Sequence, residues 1–188
     1  MRTLSSNTNL LFNKTRSTAG QPYRLTDSVN VTLLDVFGNS TTHFEEGMFI
    51  YNVTNIEIIR PEIHSTGEGL AILNLSTVNV TDCKVLQGDT LDINITARDS
   101  SVLMVNCSID TEEVATGSNL KRAWWYQARV NDSSGTPVID ALIEAFNTSS
   151  LVDSWRTNST GWTAKDYLIE YINRDGTVTS YNNYTINA

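Results

Sequence analysis

Apolar and polar residues alternate in short segments that recur along the first part of the chain. The segments VNVTLLDV, IEIIRPEI, VNVTDCKV and VLMVNCSI begin at Val29, Ile56, Val78 and Val102, at spacings of 27, 22 and 24 residues. Each has two apolar-x-apolar pairs separated by two residues, and such alternation places every second side chain on one face of a strand. The pattern therefore predicts a repeating coil in which two short strands, joined at a tight corner, point apolar side chains into a shared interior.

A second series of alternating segments supplies a third strand for each coil. GMFIYNV, GLAILNL and TLDINIT each contain an apolar-x-apolar pair that is followed by the motif N-x-[ST]. This arrangement resembles the right-handed parallel β-helix of the pectate-lyase-like family, in which Asn often occupies a corner. The corner residues here are expected to be Leu33, Arg60, Asp82 and Asn106, and only the last two fit that family.

The resemblance implies an all-β fold that begins with a short right-handed parallel β-helix of about four coils at residues 28–112. An ordinary antiparallel sandwich whose strand spacing is coincidental is the alternative. In a coil, equivalent residues of successive turns stack about 4.8 Å apart, so Cys83 and Cys107 become inward neighbours. They are expected to form either a disulfide or two stacked free thiols.

The pattern changes after residue 112. Residues 113–122 are expected to form a linker, and residues 123–188 contain short strand-like segments separated by Gly, Asn and Ser. Their motifs are similar to those of carboxypeptidase-regulatory-like, immunoglobulin-type domains, as in cell-surface proteins of archaea. The resemblance implies a small immunoglobulin-like β-sandwich used for binding, spacing or assembly, and it is carried by Val130, Asp132, Gly135, Pro137, Val138, Ala141, Thr157, Gly161 and Trp162.

All four tryptophans, Trp124, Trp125, Trp155 and Trp162, lie in this second module. Packing in the sandwich core is the expected use, and a sugar-stacking platform is the alternative. Trp124 or Trp125 is also placed to cover one end of the β-helix, since a solenoid end exposes unpaired strand edges.

Residues 1–27 are expected to form an N-terminal arm or cap. Leu10, Leu11 and Phe12 are its apolar cluster. The arm either folds back over the first coil or adds as a strand to a neighbouring copy of the chain. Such head-to-tail contact is heterologous and builds open filaments or lattices.

The motif N-x-[ST], which accepts N-linked glycans, occurs twelve times. Asn and Thr also favour turns and strands, but that preference does not explain the motifs beyond the repeat. We therefore expect N-linked glycans and an extracellular, cell-surface location. The motifs begin at Asn13, Asn30, Asn39, Asn52, Asn74, Asn79, Asn94, Asn106, Asn131, Asn147, Asn158 and Asn183.

The net charge and the residues that could carry out chemistry exclude several classes of function. The formal net charge of −8 disfavours nucleic-acid binding, and no apolar run is long enough to cross a bilayer. No column of the repeat holds two acids, as glycoside cleavage requires, and two cysteines without a neighbouring His do not make a metal site. We therefore expect the chain to be a structural subunit that binds copies of itself, without catalytic activity and without a cofactor. The alternatives are a carbohydrate-binding or polysaccharide-cleaving module, or part of a larger adhesin.

Overall fold

The computed structural model describes residues 2–5, 8–43, 45–96 and 99–188. Within these ranges the chain contains β-strands, turns and no helix. Three of its four sheets contain parallel strands that recur once per coil, and this confirms the predicted parallel solenoid. None of the described residues belongs to a helix long and apolar enough to cross a bilayer.

The first sheet consists of six parallel strands. Its order is β1 (Arg2–Ser5), β4 (Tyr23–Thr26), β7 (Met48–Tyr51), β10 (Glu68–Leu73), β13 (Leu91–Ile95) and β15 (Glu112–Val114).

The second sheet has six parallel strands followed by two antiparallel ones. The parallel strands are β2 (Thr8–Asn13), β5 (Val29–Leu34), β8 (Thr54–Ile59), β11 (Thr77–Thr81), β14 (Ser101–Val105) and β16 (Asn119–Tyr126). The antiparallel strands are β19 (Asp166–Arg174) and β20 (Thr177–Ser180).

The third sheet has only four parallel strands, which are β3 (Arg16–Ala19), β6 (Phe37–Ser40), β9 (Glu62–Ser65) and β12 (Val85–Gly88). Four coils therefore have all three strands, and the last two, β13–β14 and β15–β16, lack the third. The sheets also extend beyond the predicted range of 28–112. Residues 1–27, predicted as an arm, contain β1 to β4, and residues 113–122, predicted as a linker, contain parts of β15 and β16.

The inward column at the centre of the second sheet is the one that the sequence predicts, with one correction. Ile56 pairs with Val78, and Val78 pairs with Val102. Val31, and not Val29, pairs with Ile56, because Val29 is exposed and lies opposite Thr54. The first copy of the repeat is therefore displaced by two residues from the predicted alignment.

The same displacement corrects the corner column. Leu33 is buried in the core, and Asp35 occupies the corner at φ 50°. Arg60, Asp82 and Asn106 follow it with φ of 52°, 54° and 56°. This left-handed conformation turns the chain sharply, and short polar side chains such as Asp and Asn tolerate it better than most.

The core consists of side chains from all three sheets, stacked coil upon coil. Val31, Ile56, Val78 and Leu120 are among those with no measurable exposure. Buried serines line the corner that precedes the second sheet. The backbone N–H of Ser76 donates to Ser100 Oγ at 3.3 Å, and that of Ser100 donates to Ser118 Oγ at 3.2 Å.

The antiparallel part of the chain is attached to the solenoid through β16. This strand pairs in parallel with β14 on one edge and antiparallel with β19 on the other. The fourth sheet, with order β18 (Ser150–Arg156), β17 (Leu142–Asn147) and β21 (Tyr184–Asn187), is antiparallel. Its buried residues Ile143, Ala145 and Trp155 pack with Tyr126 of β16 and Leu168 of β19.

Candidate functional site

The N-terminal end of the solenoid exposes strand edges. The strands β1, β2 and β3 are terminal in their sheets, so in the described part of the chain no strand covers their outer edges. We call these three outer edges the rim. Leu10 and Phe12 of β2 pack against the core, whereas Leu11 between them is 66% exposed. The apolar cluster predicted from the sequence is thus divided between core and surface.

The N-terminal segment that contains the rim has a charge opposite to that of the rest of the chain. Residues 1–26 contain Arg2, Lys14, Arg16 and Arg24 and no Asp or Glu, whereas the whole chain has 13 basic and 21 acidic residues. Lys14 and Arg16 lie at and just after the corner of the first coil, where both are exposed. The Cζ atom of Arg16 lies 3.9 Å from the centroid of the Phe37 ring in the next coil.

Above Lys14, the corner column forms a ladder of polar contacts. Arg60 donates two hydrogen bonds of 2.9 Å to the two carboxylate oxygens of Asp35, and Lys84 Nζ lies 3.2 Å from Asp35 Oδ1. The hydrogen bonds from these two cations hold the pKa of the Asp35 carboxyl well below its usual range. Two coils further on, Asn106 Nδ2 donates to Asp82 Oδ1 at 2.8 Å, and Trp125 Nε1 donates to the same oxygen at 2.6 Å.

The other end of the third sheet opens into a groove of about 630 Å³ beside β12. It lies where the next coil would supply a fifth strand. Residues 109–111 leave the sheet there because side chains bond their backbone instead. Arg122 Nη1 donates to Ile109 O at 3.2 Å, and Asp92 Oδ2 accepts from the N–H of Asp110 at 2.6 Å. We call this space the groove; its lining includes Lys84, Gln87, Asn106, Ser108, Asp110, Thr111 and Trp124.

The tryptophans differ in burial and in their neighbours. Trp155 is buried in the antiparallel part, and Trp162 is exposed. Trp124 lines the groove, and its Nε1 donates to Glu170 Oε2 at 2.6 Å. Glu170 in turn lies 3.1 Å from Arg122 Nε, and the Arg122 guanidinium sits 5.3 Å from the Trp124 ring centroid. The indole of Trp124 is therefore held in place by charged neighbours.

Cys83 and Cys107 are stacked as the repeat predicts. They form a disulfide with a Cα–Cα distance of 4.8 Å, which links the corner after β11 to the corresponding corner of the next coil. Cys107 is fully buried, and Cys83 packs against the core.

The twelve N-x-[ST] motifs are distributed unevenly. Within the solenoid, Asn13, Asn30, Asn52, Asn74, Asn79 and Asn106 all lie on the second sheet or at its two corners, and each is at least partly exposed. Asn39 is half-buried on the third sheet. In the antiparallel part, Asn131, Asn158 and Asn183 are exposed and Asn147 is half-buried.

Asn94, on the outer face of the first sheet, is the exception. It is only 6% exposed, and its Nδ2 donates to Glu68 Oε1 at 2.5 Å. Burial raises the pKa of Glu68, and the negative charges of Glu46 and Glu113 act in the same direction, against the hydrogen bond from Asn94. We omit Asn94 from the glycan sites proposed below, because a buried amide leaves no room for a sugar.

The described residues contain no group of three or more His, Cys, Asp or Glu side chains arranged to hold a metal ion.

The sequence does not predict the groove, because the segment VLMVNCSI has the pattern of a full copy of the repeat. Cys107 and Ile109 do point inward as that segment predicts, but the backbone around them forms no strand. The one feature of the sequence that could have indicated the groove is the loss of apolar–polar alternation directly after Ile109.

Comparison with protein-family models, with curated proteins and with solved structures gave no match.

Proposed function

We propose that the chain is a non-catalytic, glycosylated structural subunit of an extracellular assembly, such as a filament, a sheath or a surface layer. The observation that supports this most directly is the rim. Each coil of a parallel solenoid pairs its backbone with the next coil, so three uncovered strand edges at one end leave N–H and C=O groups for a partner.

The partner proposed is another copy of the same chain, bound head to tail. Two rims that faced each other would bring their Lys14 and Arg16 side chains together, and like charges repel. A rim that meets the acidic remainder of another copy is attracted to it, since residues 27–188 hold all 21 acidic residues. Contact between two different surfaces leaves one of each free on the growing assembly, and it propagates as an open filament unless its rotation closes a ring.

The proposal also covers the location of the protein at the cell surface and the particular kinds of solenoid and antiparallel domain to which its two parts belong. Eleven N-x-[ST] motifs at partly or fully exposed positions suit glycosylation in a secretory environment, and a disulfide persists in an oxidising one. The proposal also includes the right-handed, pectate-lyase-like type of the solenoid, an immunoglobulin-like type for the antiparallel part, and a relation to archaeal surface proteins.

Charge reversal at the rim tests the self-association. We expect the purified chain to form head-to-tail oligomers in sedimentation velocity and filaments or sheets in electron micrographs. The double variant Lys14→Glu/Arg16→Glu should shift the distribution to monomer. The matched control, Arg129→Glu/Arg156→Glu, makes the same change of charge on exposed residues of the antiparallel part and should leave assembly intact. A strictly monomeric wild type at high concentration, or equal loss in both variants, would contradict the proposal.

The groove supports a second candidate, a carbohydrate-binding or polysaccharide-cleaving module. Trp124 and the exposed polar side chains of Gln87 and Asp110 line it together, and aromatic rings combined with polar groups suit sugar recognition. A glycan panel and an assay for released reducing ends separate this candidate from the first. The remaining alternative is that the chain is part of a larger adhesin. Further coils of that longer chain would then cover the rim, and the longer chain would not assemble because its strand edges would already be paired.

A further inference from the structure

We propose that the groove is occupied by the first sugars of a glycan attached to Asn106 of the same chain. This inference rests on the proposed glycosylation, and it gives one of the glycans a defined place in the fold. The ligand class is a pyranose whose apolar face packs on Trp124 and whose hydroxyls reach Gln87 and Asp110.

The position of Asn106 supports this assignment. Its side chain is exposed and contributes to the lining of the groove, and it begins the motif Asn106-Cys107-Ser108. The backbone N–H of Asn106 donates to Ala123 O at 2.9 Å, so Asn106 lies beside Trp124 in the adjacent strand. Neighbouring strands are about 4.8 Å apart, and a sugar on Asn106 therefore starts within reach of the indole.

The attachment atom remains available. Asn106 Nδ2 uses one hydrogen to donate to Asp82 Oδ1 at 2.8 Å, and an amide nitrogen carries two. A glycosylated asparagine keeps one N–H, so the bond to Asp82 can persist when the other hydrogen is replaced by the sugar. That bond, together with the disulfide at Cys107, fixes the direction in which the glycan leaves the backbone.

The groove has the size and lining that a sugar requires. Its volume of about 630 Å³ lies in the range of ordinary ligand sites. The indole N–H of Trp124 is already bonded to Glu170, so the ring is held in one orientation before any ligand arrives. Preorganised aromatic surface loses little conformational freedom on binding, and the exposed side chains of Gln87 and Asp110 offer both donors and acceptors.

Asn79 provides a matched comparison. It begins an exposed N-x-[ST] motif on the second sheet, one coil earlier, and the smaller depression of about 380 Å³ beside it is lined by Asn30, Thr32, Asn55, Glu57 and Thr77. That lining contains no aromatic residue, so a sugar at Asn79 has no ring to pack against.

Periodate protection tests the inference. Periodate cleaves vicinal diols that solvent can reach, and glycopeptide mass spectrometry reports the extent at each site. On the native, glycosylated protein we expect the innermost sugars that carry a vicinal diol to be oxidised about tenfold more slowly at Asn106 than at Asn79, the effect of one aromatic contact. Trp124→Phe should weaken this protection and Trp124→Ala should abolish it. After unfolding, the two sites should react equally.

Each outcome separates the inference from the proposal on which it rests. If no Asn carries sugar in the native protein, glycosylation itself fails. If Asn79 is glycosylated and Asn106 is bare, or if both glycans react at the same rate, the inference is overturned and glycosylation stands. Should Trp124→Ala not fold, Trp124→Phe and the folded wild type still decide the result. Free saccharide that binds wild-type protein with a fully glycosylated Asn106, and that loses this binding in Trp124→Phe, would show that the groove is empty and would also overturn the inference.

Discussion

At the residue scale, Asp35 connects three successive coils through one carboxylate. It accepts hydrogen bonds from Arg60 in the next coil and from Lys84 in the coil after that. The left-handed backbone at the corner aligns these side chains, because equivalent residues of successive coils stack directly above one another. The ladder therefore resists separation of the coils at their exposed edge.

We expect the substitution Asp35→Asn to lower the thermal midpoint at neutral pH. Because the folded-state pKa of Asp35 is depressed, its contribution is present above the ordinary Asp value of 3.8 and is lost as the pH falls below that value and through the folded pKa. The difference in midpoint between wild type and variant, followed by circular dichroism from pH 7 downwards, should stay constant to about pH 4 and then shrink. The control Glu57→Gln, at an exposed acid of the second sheet, should show no such pH-dependent difference.

Ser76 makes a different prediction because it is fully buried. Its Oγ donates to Leu73 O at 2.7 Å and accepts from the N–H of Val53 at 3.2 Å. Ser76→Ala leaves that N–H without a partner inside the fold, which costs about 1–3 kcal/mol. Urea denaturation should report a loss of this size, and Ser133→Ala, at an exposed turn, should change the free energy of unfolding by less than about 0.5 kcal/mol. An equal effect in both variants would refute the role given to the buried serine.

The residue scale also shows where sequence reasoning reaches its limit. Alignment of the first repeat on Val29 rather than Val31 predicts the corner at Leu33, two positions before Asp35, which occupies it. Asn94 has the same motif as Asn79, yet one is buried and the other exposed. A local motif does not report the side chains that neighbouring coils place over it.

At the element scale, the disulfide joins two consecutive corners at the end of the solenoid where the third sheet stops. It closes a loop with a sequence separation of 24 residues. Restricting the unfolded chain in this way contributes about 3–4 kcal/mol by the entropy of loop closure. Reduction should therefore lower the urea midpoint of the wild type. The variant Cys83→Ala/Cys107→Ala should start from that lower midpoint and be insensitive to reductant; a wild type whose midpoint is unchanged after verified reduction would contradict this.

Strands were predictable where their apolar residues alternate strictly. Val78 and Val102 lie in a column because both segments repeat the same pattern, and parallel stacking preserves it. The strands in residues 1–27 were not predicted, since Thr, Ser and Asn dominate there and give little hydrophobic contrast. Their backbone is ordered into strands by pairing with the following coil.

At the scale of the whole molecule, the segregation of charge makes a prediction about assembly. The basic rim and the acidic remainder attract through solvent, and salt screens such attraction over a Debye length of about 10 Å at 0.1 M. Raising the salt concentration from about 0.05 M to about 0.5 M should therefore shift sedimentation toward monomer. Assembly that strengthens with salt would indicate that apolar contact, through residues such as Leu11, dominates instead.

The sequence by itself determined the all-β class and favoured a solenoid over a sandwich, because a period of 22 to 27 residues with alternation inside each copy is typical of stacked coils. It also determined the proximity of Cys83 and Cys107, since equivalent positions of successive coils are neighbours. Only the tertiary structure decided where the solenoid begins, that β16 serves both the parallel and the antiparallel part, and that the third sheet ends in a groove beside Asn106 and Trp124. Those features depend on contacts such as Arg122 with Ile109 and Asp92 with Asp110, between residues 13 and 18 positions apart, which no local pattern encodes.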